Sequence, residues 1–137
     1  KGIQVAHSPN ADVMITQNEI TSTNTSEDSD EGAISVYPDS TNITVTKNII
    51  TDNYRAFTVR DKSDTASDLH VNNNKIYGNR GEYVVANFSN AGSPGSIDAT
   101  GNWWGTTDGP SGQGPGSGDP VGPNVDYSNY LTSEPTW

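Results

Sequence analysis

The chain has 137 residues, 30% of them apolar, a formal net charge of −10 and no cysteine. That length sets one domain as the expectation. The charge excludes a basic footprint for nucleic acid or docking on anionic lipid, and the missing thiols exclude disulfides and thiolate metal sites.

In chain order, the first predicted strands are Ile3-Gln4-Val5 and the run from Val13 to Ile20, alternating apolar and polar residues around Asn18. Alternation of period two turns one side of a strand inward and the other to water. Because Lys1 opens directly on this pattern, with no export signal or apolar span, a mature segment or fragment is expected, preceded by further coils. An uncapped amino-terminal coil would then offer a surface for self-association.

The insertion from Thr21 to Gly32 carries four carboxylates in five residues, Glu27, Asp28, Asp30 and Glu31. Hard oxygen ligands of this kind suit Ca²⁺, but Pro38 stands where an EF-hand numbered from Glu27 would need its closing acid. The alternative is a solvated acidic loop with no cofactor.

Ile34-Ser35-Val36 precedes a second run, Ile43 to Ile50, around Asn48; Phe57-Thr58-Val59 precedes a third, Leu69 to Ile76, around Asn74. Between Val59 and Asp68 lies the densest mixed charge, including Arg60, Asp61 and Asp64. Without further context this is a surface cluster of weak ion pairs. His7 and His70 have no partner at metal-ligand or triad spacing and are read as bland. Tyr83-Val84-Val85 then precedes a fourth run, Ile97 to Trp104, around Asn102. Three glycosylation-type tripeptides begin at Asn24, Asn42 and Asn87.

The four runs align without gaps. Each has apolar residues five and three positions before its asparagine and another two positions after it. Asn18, Asn48, Asn74 and Asn102 stand 30, 26 and 28 residues apart, and Asn53 and Asn79 each fall five beyond a main asparagine. Such a period predicts an all-β solenoid of about four coils, stacked over roughly 15–20 Å at about 4.8 Å per layer. Equivalent asparagines then form a ladder, each amide offering donors and acceptors to the next. A β-sandwich of short strands is the alternative, but it does not account for the conserved offset within the chain.

Residues 1–104 are thus expected to form the coils and 105–137 an irregular Gly/Pro-rich cap. Trp104 takes the inward place of Ile20, Ile50 and Ile76, whereas Trp103 points outward. Its indole is a candidate platform for a sugar face. The tract "GQGPGSGDPVGP" is not expected to continue a strand ladder, because proline lacks a donor and glycine lacks packing.

"VTKNIITDN" and "VNNNKIYGN" resemble the coils of right-handed parallel β-helix proteins, the pectin-lyase-like superfamily. "GNWWGTTDGP" with "GDPVGPNVDYSNYL" resembles the carboxy-terminal end of secreted bacterial and archaeal proteins with such repeats. The resemblance implies a right-handed parallel β-helix and an extracellular or cell-surface location. It leaves activity open, because the superfamily includes lyases, hydrolases, epimerases, adhesins and surface-layer components. If the chain were part of a polysaccharide-processing enzyme, Arg60 would be the residue type that abstracts a proton, and Asp61 and Asp64 would hold Ca²⁺ or act as acid and base. The superfamily's paired-aspartate and Gly-His-Gly signatures are absent.

Three readings follow. The first is a structural or recognition module, used in adhesion, assembly or weak binding of a polysaccharide or other surface component. Its outward residues Gln4, Ser35, Thr58, Thr16, Thr44, Thr46, His70 and Asn72 would form a flat face rich in hydroxyls and amides. The second is a carbohydrate-active enzyme fragment, and the third a lectin-like domain using Trp103.

Overall fold

The computed structural model describes residues 2–23, 30–60, 66–88 and 97–137. Each turn of the chain visits three sheets, and every strand pairing is parallel. Coil one contains β1 (Ile3–Val5), β2 (Val13–Thr16) and β3 (Glu19–Thr21); coil two, β4 (Ile34–Val36), β5 (Thr41–Thr46) and β6 (Ile49–Thr51). Coil three contains β7 (Phe57–Val59), β8 (Ser67–Asn72) and β9 (Lys75–Tyr77); coil four, β10 (Val85–Asn87) and β11 (Ile97–Asp98). The carboxy-terminal tract adds β12 (Pro110–Gly112), β13 (Gly118–Val121) and β14 (Val125–Asp126).

The first sheet runs β1-β4-β7-β10-β13-β12, the second β14-β11-β8-β5-β2 and the third β3-β6-β9, which a bridge from Lys75 to Trp103 extends. This is the expected solenoid of about four coils. Side chains such as Ile34, Ile43, Ile50, Val71, Ile76 and Ile97 are fully buried and fill a narrow continuous core. A column this thin needs few apolar residues per coil, so a mostly polar chain can bury it.

The asparagine ladder forms in register. Asn48, Asn74 and Asn102 are fully buried, and Asn18 is exposed at the end of the row. Asn48 Oδ1 accepts from the backbone N–H and the Nδ2 of Asn18, each at 3.0 Å. The same paired contacts join Asn48 to Asn74 and Asn74 to Asn102. The residue before each asparagine turns the bend with a left-handed backbone: φ is 58° at Gln17, 56° at Lys47, 57° at Asn73 and 71° at Gly101. That corner exposes backbone groups which the ladder amides then satisfy.

A second row joins Thr23, Asn53 and Asn79 and ends on Asp119. A carboxylate suits this last place because both oxygens accept: Oδ1 from Gly78 N–H at 2.9 Å, and Oδ2 from Asn79 N–H and Nδ2 at 3.0 and 2.8 Å. Burial nonetheless pushes the Asp119 carboxyl above its ordinary value, and these donors only partly oppose it.

Three expectations are corrected. The fourth coil is paired two residues further along, with Val85 opposite Phe57 and Asn87 opposite Val59. A shift of two leaves every side chain on its original face, so alternation alone cannot detect it. The Gly/Pro-rich tract does continue the ladder. Pro120 needs no donor there, because its carbonyl accepts from Val84 N–H at 2.7 Å and Gly122 N–H donates to Val85 O at 2.9 Å. Close fit explains its glycines: at Gly109, φ is 87° and an added Cβ would lie 2.7 Å from the Tyr130 ring.

The third correction concerns the outer face of the first sheet. Gln4 is exposed, but Ser35 and Thr58 are buried, as is Ala86 in the same row. Arg55, just before β7, reaches Phe88, just after β10, with its guanidinium carbon 5.0 Å from that ring and 4.7 Å from the Tyr54 ring. It therefore lies across the strands to which Thr58 and Ala86 belong.

Candidate functional site

Two columns of mostly polar side chains line the outer face of the second sheet, half-exposed along their middle and exposed at Met14 and Asp126. Register aligns Met14, Thr44, His70, Asp98 and Asp126 in one column and Thr16, Thr46 and Asn72 in the next. Thr100 joins the second column through hydrogen bonds to Asn72 Nδ2, at 3.1 Å to both its carbonyl and its hydroxyl.

At the centre, His70 bridges two carboxylates, with Nδ1 3.0 Å from Asp98 Oδ2 and Nε2 2.9 Å from Asp68 Oδ1. Both nitrogens can donate only when the ring is protonated, so this geometry selects imidazolium. The hydrogen bond to Asp98, then that to Asp68, raise the His70 pKa above its ordinary 6.5 despite partial burial. For Asp98, partial burial opposes the charge, but hydrogen bonds from His70, Thr100 and Asn72 hold the carboxyl below its ordinary 3.8.

The reading of His70 as bland is thereby corrected. The gapless alignment already put Asp98 at the position matching His70, one layer on. Stacked positions were the signal; spacing along the chain, the usual guide to triads, was the wrong measure.

The cluster has a pH signature. The contribution of a histidine with a raised folded pKa is complete below its unfolded value and is lost as pH rises through the folded one; that of the lowered Asp98 is present above its unfolded value and lost as pH falls. Both therefore act between the ordinary values of 3.8 and 6.5. The stability difference between wild type and His70→Ala is expected to be largest near about pH 5 and to shrink towards about pH 8. Denaturant titrations at the two pH values measure it, and a difference that does not change with pH would refute the ion-bridged histidine. Side-chain exposures of 41% and 39% keep the effect modest through solvent screening.

Arg60 lies on the outer side of the first sheet, as expected, but it is fully engaged. Its Nη2 is 2.9 Å from Asp30 Oδ1, and Nη1 is 2.7 Å from both Glu31 Oε1 and Tyr37 Oη. Its guanidinium carbon sits 4.9 Å from the Tyr37 ring centroid. Burial works against its charge, but the hydrogen bond to Tyr37 and the field of Asp30 outweigh it and raise its pKa. A proton-abstracting arginine needs the opposite shift. Asp30 and Glu31, two of the four candidate Ca²⁺ ligands, are turned to this arginine. Glu27, Asp28, Asp61 and Asp64 lie outside the described residues. Among the described residues no three His, Asp or Glu side chains gather as a metal site.

Trp104 is fully buried in the core at the place expected. Trp103 does occupy the outward column of the third sheet, opposite Lys75, but it is only 9% exposed. The carboxy-terminal tail is fixed on both sides of it: Leu131 N–H donates to Asn102 O at 2.9 Å, and Glu134 Oε1 is 3.1 Å from Lys75 Nζ. The expectation of an open Trp103 indole face is therefore corrected. The most accessible indole belongs instead to Trp137, 44% exposed, which the sequence reading did not single out.

No curated protein and no solved structure matches this chain. The family model described as a right-handed beta helix region matches residues 1–102, the span holding all four asparagine-ladder coils. With parallel three-sheet coils and a ladder in register, the chain belongs to the right-handed β-helix family.

Proposed function

We propose that this chain is an extracellular structural and recognition module whose second-sheet wall binds neutral glycans weakly. The observation that carries this reading is the pair of in-register columns centred on Thr44, Thr46, His70, Asn72, Asp98 and Thr100. The threonine hydroxyls and the Asn72 amide both donate and accept, and the columns sit on rigid strands that repeat at about 4.8 Å along the stack. A rigid wall loses little entropy when a ligand lies along it. The net charge of −10 works against acidic polymers at long range, which favours neutral ones. The enzyme reading receives no comparable support, since Arg60 is tied into an ion-paired clasp.

A glycan array with wild type and Thr46→Arg tests the wall. Thr46 is half-exposed and its side chain makes no hydrogen bond among the described residues, so the long side chain obstructs the wall without opening the core. Signal is expected to fall at least about tenfold, a loss of about 1.4 kcal/mol, with the melting temperature held. Unchanged binding would end this reading.

A further inference from the structure

A separate groove of about 390 Å³ opens on the third sheet, lined by Gln17, Asn18, Glu19, Lys47, Ile49 and Trp137. Glu19 and Ile49 are partners in the outward column of β3 and β6 and form its floor. Gln17 and Lys47, the left-handed corner residues with φ of 58° and 56°, line it from the neighbouring bends. The Trp137 indole is brought here by the tail, with Lys75 Nζ 5.4 Å from its ring centroid and Glu134 paired to the same ammonium. The aromatic surface is thus positioned before any ligand arrives.

The chemistry of the lining selects the ligand. Among the described residues, the side chains of Gln17, Glu19 and Lys47 make no hydrogen bond or ion pair, so the carboxylate and ammonium both retain their full capacity. An apolar ligand would strip water from these charges and return nothing. A polyanion would meet Glu19 and the negative field of the whole chain. A neutral pyranose fits: its C–H face packs on indole, and its hydroxyls donate to Glu19, accept from Lys47 and do both with Gln17. The volume lies within the usual range for a small-molecule site.

We propose that this groove is a saccharide subsite taking one or two pyranose units of a neutral glycan, with Trp137 as its stacking platform. It rests on the glycan-recognition reading above but uses a different face of the solenoid. The two can therefore fail separately.

The test is an amide and indole NMR titration of the full chain with cellopentaose, xylopentaose and mannopentaose. At least one is expected to shift the Trp137 indole N–H together with the Gln17 and Lys47 amides. Trp137→Ala, which removes an exposed ring and leaves the core intact, is expected to weaken that binding at least about tenfold. Glu19→Gln should weaken it less, because the amide still accepts. Shifts confined to Thr46, Asn72 and Thr100 would overturn the groove and keep the wall. Shifts confined to the groove would support it and overturn the wall. No shift with any of the three sugars, or wild-type affinity in Trp137→Ala, would overturn the groove outright.

Discussion

Replacing Asn74 by alanine is expected to destabilise the fold by about 3–4 kcal/mol, because each buried polar group left unpaired costs about 1–3 kcal/mol. Asn74 Oδ1 accepts from Asn48 N–H at 2.9 Å and from Asn48 Nδ2 at 3.0 Å. Its own Nδ2 donates to Val45 O at 2.9 Å, Asn72 O at 3.1 Å and Asn102 Oδ1 at 3.1 Å. In the variant Asn48 Nδ2 still reaches Ile15 O and Thr46 O, so the main orphans are the Asn48 N–H and the Val45 carbonyl. The loss would take a large share of the about 5–15 kcal/mol that holds a typical domain. Asn74→Asp isolates the cause, since it keeps the shape but sets oxygen against three acceptors and buries a charge. It should be at least as damaging. Asn18→Ala, at the exposed end of the same row, should cost about 1 kcal/mol or less. Denaturant midpoints compare the three, and equal losses at 18 and 74 would show that the ladder is not what stabilises the corner.

Trp104→Ala is expected to cost about 3–5 kcal/mol, the range for emptying a buried aromatic site. Trp104 is fully buried and stacks in line with Ile76, Ile50 and Ile20 at the end of the core that the carboxy-terminal tract closes. Gly118 lies directly over it, with an added Cβ only 2.4 Å from the Trp104 carbonyl oxygen, so the lid cannot easily collapse into a void. Trp104→Phe separates packing from polarity. The indole Nε1 is buried with no hydrogen-bond partner, so removing it forfeits no bond and recovers a desolvation cost. The phenylalanine variant should therefore lose less than half as much as alanine. Equal thermal shifts for the two would mean that size at this position is not what closes the core.

The coils and the ladder were legible because each coil meets the same local demand. A left-handed corner needs an amide behind it, and two apolar residues before it need the core. The His70–Asp98 contact was legible for a related reason, since register converts alignment into distance. Its absence from the sequence reading came from judging histidine by neighbours along the chain.

Other features depended on partners far apart in sequence. Thr58 alternates as an outward residue should, and nothing local signals that Arg55 and Phe88 lie across its strand. Tyr83 and Val85 match the apolar strand pattern better than Val85 and Asn87 do, yet the backbone hydrogen bonds of Val84 with Ala56, Phe57 and Pro120 go with the register that puts Asn87 opposite Val59. The exposed indole is that of Trp137 rather than Trp103, because the tail lies back along the third sheet.

By itself, then, the sequence determined the solenoid, the ladder and the burial of Trp104, since period and residue chemistry repeat in every coil and each repeat constrains the next. The tertiary structure alone decided which outward faces stay open. Exposure of an outward side chain depends on what crosses above it, and in this chain the crossing groups, Arg55 with Phe88 and the tail ending in Trp137, belong to no repeat.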